Sequence, residues 1–202
     1  MRILTLFSAV ALSLAAGGAG FAAPASREPD RKAQESLPIV DDDATLGVGQ
    51  KPMIVFLDRG IPEMRQQVPV LMAFSAKHLD WIIDIKEAPV FSKASVTIAE
   101  AEGAVIHQQD PQKWHDFEMW VDTQDTKNLT AEALRAQAIR SGLNADEYDK
   151  AIQGHHALSV PELNRSLLER AKVHQLPMVI AGNKVVFGIQ SPVDLEALAG
   201  TP

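Results

Sequence analysis

The 202-residue sequence contains no cysteine. This absence excludes disulfide bonds, thiolate nucleophiles, iron–sulfur clusters and every zinc site that uses cysteine ligands. Basic residues are outnumbered as well: 19 lysines and arginines stand against 26 aspartates and glutamates, which gives a formal net charge of −7. This balance argues against general binding to nucleic acids or anionic membrane surfaces. The length and the hydrophobic fraction of 46% are typical of a chain that buries a compact core.

The first 22 residues have the pattern of a secretory signal peptide. Arg2 is the only charged residue before Arg27, and an apolar run rich in small residues lies between them. We expect cleavage after Ala22, with Ala25 as a second possible site. An uncleaved membrane anchor is the alternative, but glycines in the run weaken it as a helix. The sequence therefore predicts export to the periplasm.

A strand, a helix and a second strand are predicted next. Residues 53–57 form a short, partly β-branched apolar run, which is typical of a strand buried on both faces. Apolar residues then recur every three or four positions over 64–79, with Pro62 in the first turn of this helix and Pro69 expected to kink it. Residues 81–85 predict the second strand, and the short connection makes the two strands parallel.

The rest of the chain predicts helices followed by a β-hairpin and a last helix. A helix break is expected at Asp110-Pro111, and Thr130 and Asn144 are expected to cap helices. The segment Ser159-Val160-Pro161-Glu162 has the pattern of a capping box that opens another helix. Two short apolar runs then flank a Gly-Asn turn, which is typical of a tight hairpin at 178–187.

This order of elements resembles the thioredoxin fold with a helical insertion, as in DsbA-like thiol:disulfide oxidoreductases. In that family a strand ends in Phe-x-Asp, and a Cys-Pro-x-Cys motif follows three residues later at the start of a kinked helix. Here Phe56 and Asp58 are followed by Ile61-Pro62-Glu63-Met64, so Ile61 and Met64 occupy the two cysteine positions. The segment Leu176-Pro177 resembles the family's strand whose proline is cis and faces the redox motif.

The resemblance implies an α/β protein with a discontinuous core domain. The predicted parts are a signal peptide (1–22), an N-terminal tether with a short strand at 37–40 (23–50), a thioredoxin-like domain (51–90 and 169–202) and an all-helical insertion (91–168).

The missing cysteines exclude the chemistry of the family. Thiol–disulfide interchange needs a thiolate and a second sulfur that resolves the mixed disulfide. Ile61 cannot ionise, the thioether of Met64 cannot form a disulfide, and no other cysteine replaces them. We therefore expect no catalytic residue and no redox activity.

The resemblance instead implies a binding role. An unfolded or extended protein segment, or a periplasmic partner protein, would bind at the degenerate motif and the cis-proline groove, as to a chaperone-like or assembly factor. The candidate binding residues are Ile61, Pro62, Glu63, Met64, Leu176 and Pro177. Two alternatives remain open for Ile61 and Met64: they form an exposed apolar platform, or they pack inward and fill the space of the two cysteines.

A periplasmic copper- or metal-handling protein is the alternative function. Met64, His174 and Met178 are a conceivable soft ligand set. The six histidines show no metal-binding spacing and the methionines form no cluster in sequence. We therefore expect neither a metal nor another cofactor.

Overall fold

The computed structural model describes residues 44–200. The predicted signal peptide, its cleavage sites and the short strand at 37–40 lie outside these residues. Within them, none of the helices combines the length and the apolar character that crossing a bilayer requires.

A five-stranded sheet of order β1-β3-β2-β4-β5 forms the centre of the molecule. Its strands are β1 (Ala44–Leu46), β2 (Lys51–Leu57), β3 (Trp81–Glu87), β4 (Met178–Ala181) and β5 (Lys184–Phe187). β2 and β3 are parallel, as predicted, and the other neighbouring pairs are antiparallel. The central strand β2 is buried from Met53 onward, which explains its continuous apolar run.

β1 lies inside the stretch that the sequence predicts as a tether. Its three residues pair antiparallel with β3, from Ala44 opposite Ile85 to Leu46 opposite Ile83. A strand this short has no alternating pattern to recognise, and only its partner in the sheet defines it.

The helix after β2 is divided into α1 (Pro62–Arg65) and α2 (Gln67–Lys77). Pro69 has no N–H group, so it cannot donate a hydrogen bond to the carbonyl of Arg65, four residues earlier. The break predicted from this proline therefore lies one turn before it, at Gln66.

Five helices form the insertion, and an eighth helix follows the hairpin. They are α3 (Lys93–Ile106), α4 (Pro111–Thr123), α5 (Ala131–Arg140), α6 (Ala145–Gln153), α7 (His156–Arg170) and α8 (Pro192–Ala199). Thr130 and Asn144 cap α5 and α6 through their side chains, as predicted, and Asp110 caps α4 in the same way. α3 packs against the other four insertion helices and forms the centre of the insertion.

The predicted start of α7 at Ser159 is wrong. The helix begins at His156, the Ser159 hydroxyl donates to the His156 carbonyl at 2.7 Å, and Pro161 lies inside the helix. Pro161 leaves the carbonyl of Ala157 without its helical donor. Gly103 of α3 packs directly against that carbonyl, and a side chain at this position would overlap with it.

Replacing Gly103 with alanine should destabilise the protein. A Cβ at this position would overlap with the carbonyl oxygen of Ala157, so we expect a loss of about 1–3 kcal/mol from the free energy of unfolding. Helix propensity alone predicts a gain of about 1 kcal/mol. Urea denaturation distinguishes the two signs. Gly200→Ala is the control, since its nearest contact would be 3.3 Å away, and a stable Gly103→Ala variant would contradict the close packing of α3 on α7.

Candidate functional site

The candidate site lies where β2 ends and α1 begins. Ile61 is the N-cap residue of α1 and Pro62 is its first residue. The Ile61 N–H donates to the Asp58 carbonyl at 3.1 Å, which closes the turn between strand and helix. The segment that replaces Cys-Pro-x-Cys therefore starts a short helix, with Pro62 and Glu63 exposed to solvent.

Ile61 and Met64 differ in exposure. Met64 is buried, with 8% of its surface exposed, whereas Ile61 is half-buried. Both pack in a small apolar cluster, which we call the second core. Its buried members are Ile54, Phe56, Met64, Ala88, Leu168, Leu176 and Met178. Met64 thus packs inward, and only Ile61 of this pair contributes partly accessible apolar surface.

The loop before β4 lies on the same cluster. The Leu176–Pro177 peptide bond is cis, as the resemblance implies. Leu176 and Pro177 are both buried, and the Pro177 carbonyl accepts from the Gly188 N–H at 2.8 Å. Leu176 joins Met64 and Ile61 in the second core, so the structure brings the two predicted halves of the site together.

Asp58 connects this site to the loop between β3 and α3. It is fully buried, and its Oδ1 accepts from the Gly60 N–H at 2.8 Å. Its Oδ2 accepts from the N–H groups of Val90 and Phe91, at 2.9 and 3.0 Å. The side chains of Val90 and Phe91 are 38% and 50% exposed. Asp58 therefore fixes the backbone of two exposed apolar residues next to the turn that carries Ile61.

Behind the site lies a group of buried charges, which we call the ionic cluster. The Arg59 guanidinium forms ion pairs with Glu102 at 2.9 Å and with Glu118, and all three side chains are at most 4% exposed. The Arg59 backbone N–H donates to Glu87 Oε1 at 3.0 Å. Arg65 donates to the Arg59 carbonyl at 2.9 Å. The ionic cluster thus joins the end of the sheet to α1, α3 and α4.

Burial shifts the ionisation of these carboxyl groups. It raises the pKa of Glu87 well above its usual range, although Arg59 opposes the shift. It raises the pKa of Glu102 to about 6, again against the effect of Arg59. The pKa of Asp122 is raised by burial too. Each carboxyl group therefore holds its proton to a higher pH than it would in water.

The sequence contains a signal for this cluster that pattern reading alone misses. Glu102 lies four residues after Ile98 on an apolar helix face, and Glu118 lies four residues after Trp114 on another. Both faces are buried. A carboxylate at such a position needs a cationic partner, but nothing local indicates that this partner is Arg59.

The residues considered for a copper site do not share one environment. Met64 and Met178 are buried in the second core, and His174 is exposed in the segment between α7 and β4. Among residues 44–200, no group of three or more histidine, aspartate or glutamate side chains is placed to hold a metal ion.

Comparison with known proteins assigns the fold. No family model matches the sequence, and no curated protein matches it significantly. A thioredoxin-like oxidoreductase from Silicibacter pomeroyi DSS-3 matches with a TM-score of 0.66 and 13% identity, over 79% of this chain and 91% of its own. The thiol-disulfide exchange protein alpha-DsbA2 from Wolbachia pipientis matches with a TM-score of 0.66 and 16% identity, over 77% and 84%.

A third structure covers still more of the chain. A periplasmic thioredoxin-like protein from Salmonella enterica serovar Typhimurium has a TM-score of 0.66 and 17% identity, over 85% of this chain and 96% of its own. These likenesses confirm the predicted fold class, an α/β thioredoxin fold with a helical insertion of the DsbA type. At these identities they establish the fold alone.

Replacing Asp58 with asparagine should loosen the site. The asparagine amide group cannot accept the N–H bonds that one carboxylate oxygen accepts, so we expect a loss of about 1–3 kcal/mol in the free energy of unfolding. Amide hydrogen exchange at Val90 and Phe91 should accelerate. Asp116→Asn, at an exposed position of α4, is the control and should change stability by less than about 0.5 kcal/mol. Unchanged exchange at both amides would contradict the role of Asp58.

Proposed function

We propose that this protein is exported to the periplasm and binds unfolded or extended protein segments without catalysing a reaction, as a chaperone-like or assembly factor. One observation carries the proposal. The two cysteine positions of the redox motif are taken by Ile61 and Met64, while Val90 and Phe91, whose backbone N–H groups donate to Asp58 three residues before Ile61, remain exposed. The site offers apolar contact and no nucleophile.

The proposed binding surface consists of Ile61, Pro62, Val90 and Phe91, with Glu63 at its edge. Ile61 is supported from behind by Met64 and Leu176 in the second core. An apolar client segment would displace water from this surface, and the hydrophobic effect would supply the affinity. Because Asp58 fixes the loop at Val90 and Phe91, the surface is preorganised and little conformational entropy is lost on binding.

Two observations support export. The first 22 residues have the charge and hydropathy pattern of a signal peptide, and a matching solved structure is described as periplasmic. In that oxidising compartment a chain without cysteine cannot form unwanted disulfides with its clients.

The chain from residue 23 should suppress the aggregation of a reduced, unfolded model client, measured by light scattering. It should not accelerate the reduction of insulin disulfides, since it has no thiol. Phe91→Glu and Ile61→Glu should each weaken client binding by about tenfold, because both place a charge in an apolar contact.

Leu79→Glu is the matched control. Leu79 is 73% exposed, but it precedes β3 and lies at the opposite end of the sheet from the site. This variant should suppress aggregation as well as the unaltered protein does. If Phe91→Glu binds clients as tightly as Leu79→Glu, the binding surface lies elsewhere, and no suppression by the unaltered protein would refute the proposed function.

The double variant Ile61→Cys, Met64→Cys should regain disulfide chemistry. Its first thiol would lie at the N-cap of α1, where the free N–H groups of the helix favour a thiolate. We expect an intramolecular disulfide in oxidised glutathione, measured by mass spectrometry after thiol alkylation, and faster insulin reduction. Ile61→Cys alone should form only a mixed disulfide. Two free thiols in the oxidised double variant would show that this turn no longer has the geometry of the redox motif.

A further inference from the structure

The charges of the ionic cluster do not balance. Four carboxyl groups face two guanidinium groups: Glu87 at the end of β3, Glu102 on α3, and Glu118 and Asp122 on α4, against Arg59 and Arg65. If every group were ionised, the cluster would carry an excess of two negative charges. Excess charge in a site shielded from water is costly, and binding a proton is the simplest way to reduce it.

Glu118 and Asp122 also have buried oxygens without a hydrogen-bond partner among the described residues, but only Glu87 and Glu102 of the four line a small cavity that can hold water. Of these two, Glu87 is better placed to bind the proton. Its Oε1 accepts from the Arg59 N–H, whereas Oε2 is buried and has no hydrogen-bond partner among the described residues. Glu102, in contrast, accepts from the Arg59 guanidinium itself at 2.9 Å. The charged form of Glu102 is therefore better stabilised than that of Glu87, and the negative charge of Glu102 favours the neutral form of Glu87.

A small cavity gives the proton a route and a partner. It has a volume of about 40 Å³ and lies between β3, α3 and α7. Arg59, Glu87 and Glu102 line its inner part, and the exposed residues His107 and His156 line it towards the surface. This volume holds one or two water molecules, which polar walls would stabilise. A water here would accept a hydrogen bond from the protonated Glu87.

The other charged groups near Glu87 do not change the assignment of the bound proton to this residue. Asp58 is near, but its two oxygens already accept three backbone N–H bonds. α7 contributes the amide of Asn164, which donates to the Glu87 carbonyl at 3.1 Å.

Two further charged residues lie near Glu87 in sequence or space but do not face its carboxyl group. Lys86, which directly precedes Glu87 in β3, points to the other face of the sheet and pairs with Asp84. Asp125 lies beyond α4 and acts on Arg65.

We propose that the ionic cluster is a pH-sensitive clamp, in which a proton on Glu87 holds the helical insertion against the turn that carries Ile61, and loss of this proton as the pH rises loosens the attachment. The proposal concerns stability and local opening, and it does not depend on client binding. It follows from the unequal number of buried charges and from the cavity that reaches them.

The sign of the pH dependence is opposite to that of an ordinary carboxylate ion pair. In the unfolded chain Glu87 releases its proton near its normal pKa of about 4.3, whereas burial raises the pKa in the folded state. Between these two values the folded state binds more protons than the unfolded state. Stability should therefore fall as the pH rises through this window, by up to about tenfold in the unfolding equilibrium constant per pH unit.

The test is urea denaturation between pH 5 and pH 8.5, in steps of about half a pH unit, on the full chain and on two variants. Glu87→Gln replaces the proton-binding oxygen with a permanently neutral group of similar shape, so its stability should fall clearly less over this range than that of the unaltered protein. The fall that remains reflects Glu102, whose pKa is raised to about 6, and Asp122, whose pKa is also raised. Glu162→Gln is the control, because Glu162 is exposed on α7, and it should fall in stability as the unaltered protein does. The six histidines are common to all three proteins and do not affect the comparison.

Two further measurements locate the effect. Infrared spectroscopy over the same pH range should show the carbonyl band of a protonated carboxylic acid that fades as stability falls, and this band should be weaker in Glu87→Gln. Amide hydrogen exchange, corrected for its intrinsic pH dependence, should show faster opening at the Arg59–Arg65 turn and in α3 at pH 8.5. A stability that is constant or rises with pH in the unaltered protein overturns the proposal, as does an equal fall in Glu87→Gln. If Glu87→Gln does not fold, the pH profile and infrared band of the unaltered protein decide.

Discussion

The ion pairs of Arg59 are the interaction on which the arrangement of the molecule depends. The residue follows β2, its side chain binds Glu102 of α3 and Glu118 of α4, and its backbone N–H binds Glu87 at the end of β3. One residue thus joins the sheet to two helices of an insertion that begins more than thirty positions later in the chain. These contacts also position the turn at Ile61, which follows Arg59 by two residues.

Such a buried ionic arrangement is costly and specific. Removing two charges from water costs several kcal/mol, and their attraction recovers this only when the geometry and the remaining hydrogen bonds are good. Apolar packing between the insertion and the sheet tolerates small shifts, whereas a guanidinium that must satisfy two carboxylates does not. Glu102 and Glu118 therefore select one position of α3 and α4 over neighbouring ones, and we infer that orientation, more than stability, is what the cluster provides.

Local signals in the sequence predicted local structure, and contacts between distant residues decided the rest. The apolar run of β2, the caps at Thr130 and Asn144, and the effect of Pro69 depend on a few neighbouring residues. The first turn of α7 instead packs against Gly103, more than fifty residues away, where a side chain would overlap with the Ala157 carbonyl, and no local pattern shows this contact. In the same way, the candidate residues around Ile61 were predictable from motif spacing, but the burial of Met64 and the ionic cluster depend on packing that no local pattern encodes.

The parts of the site differ in what they imply about binding. Asp58 and Leu176 are buried and make contacts that the fold itself requires, so stability alone explains their presence. Val90 and Phe91 are different, because exposing apolar surface to water does not stabilise a fold, yet their backbone is held in place by a buried carboxylate. A loop that is both rigid and apolar loses little entropy when it contacts a partner. The case for a binding protein therefore rests on these two side chains more than on the motif that first drew attention to the site.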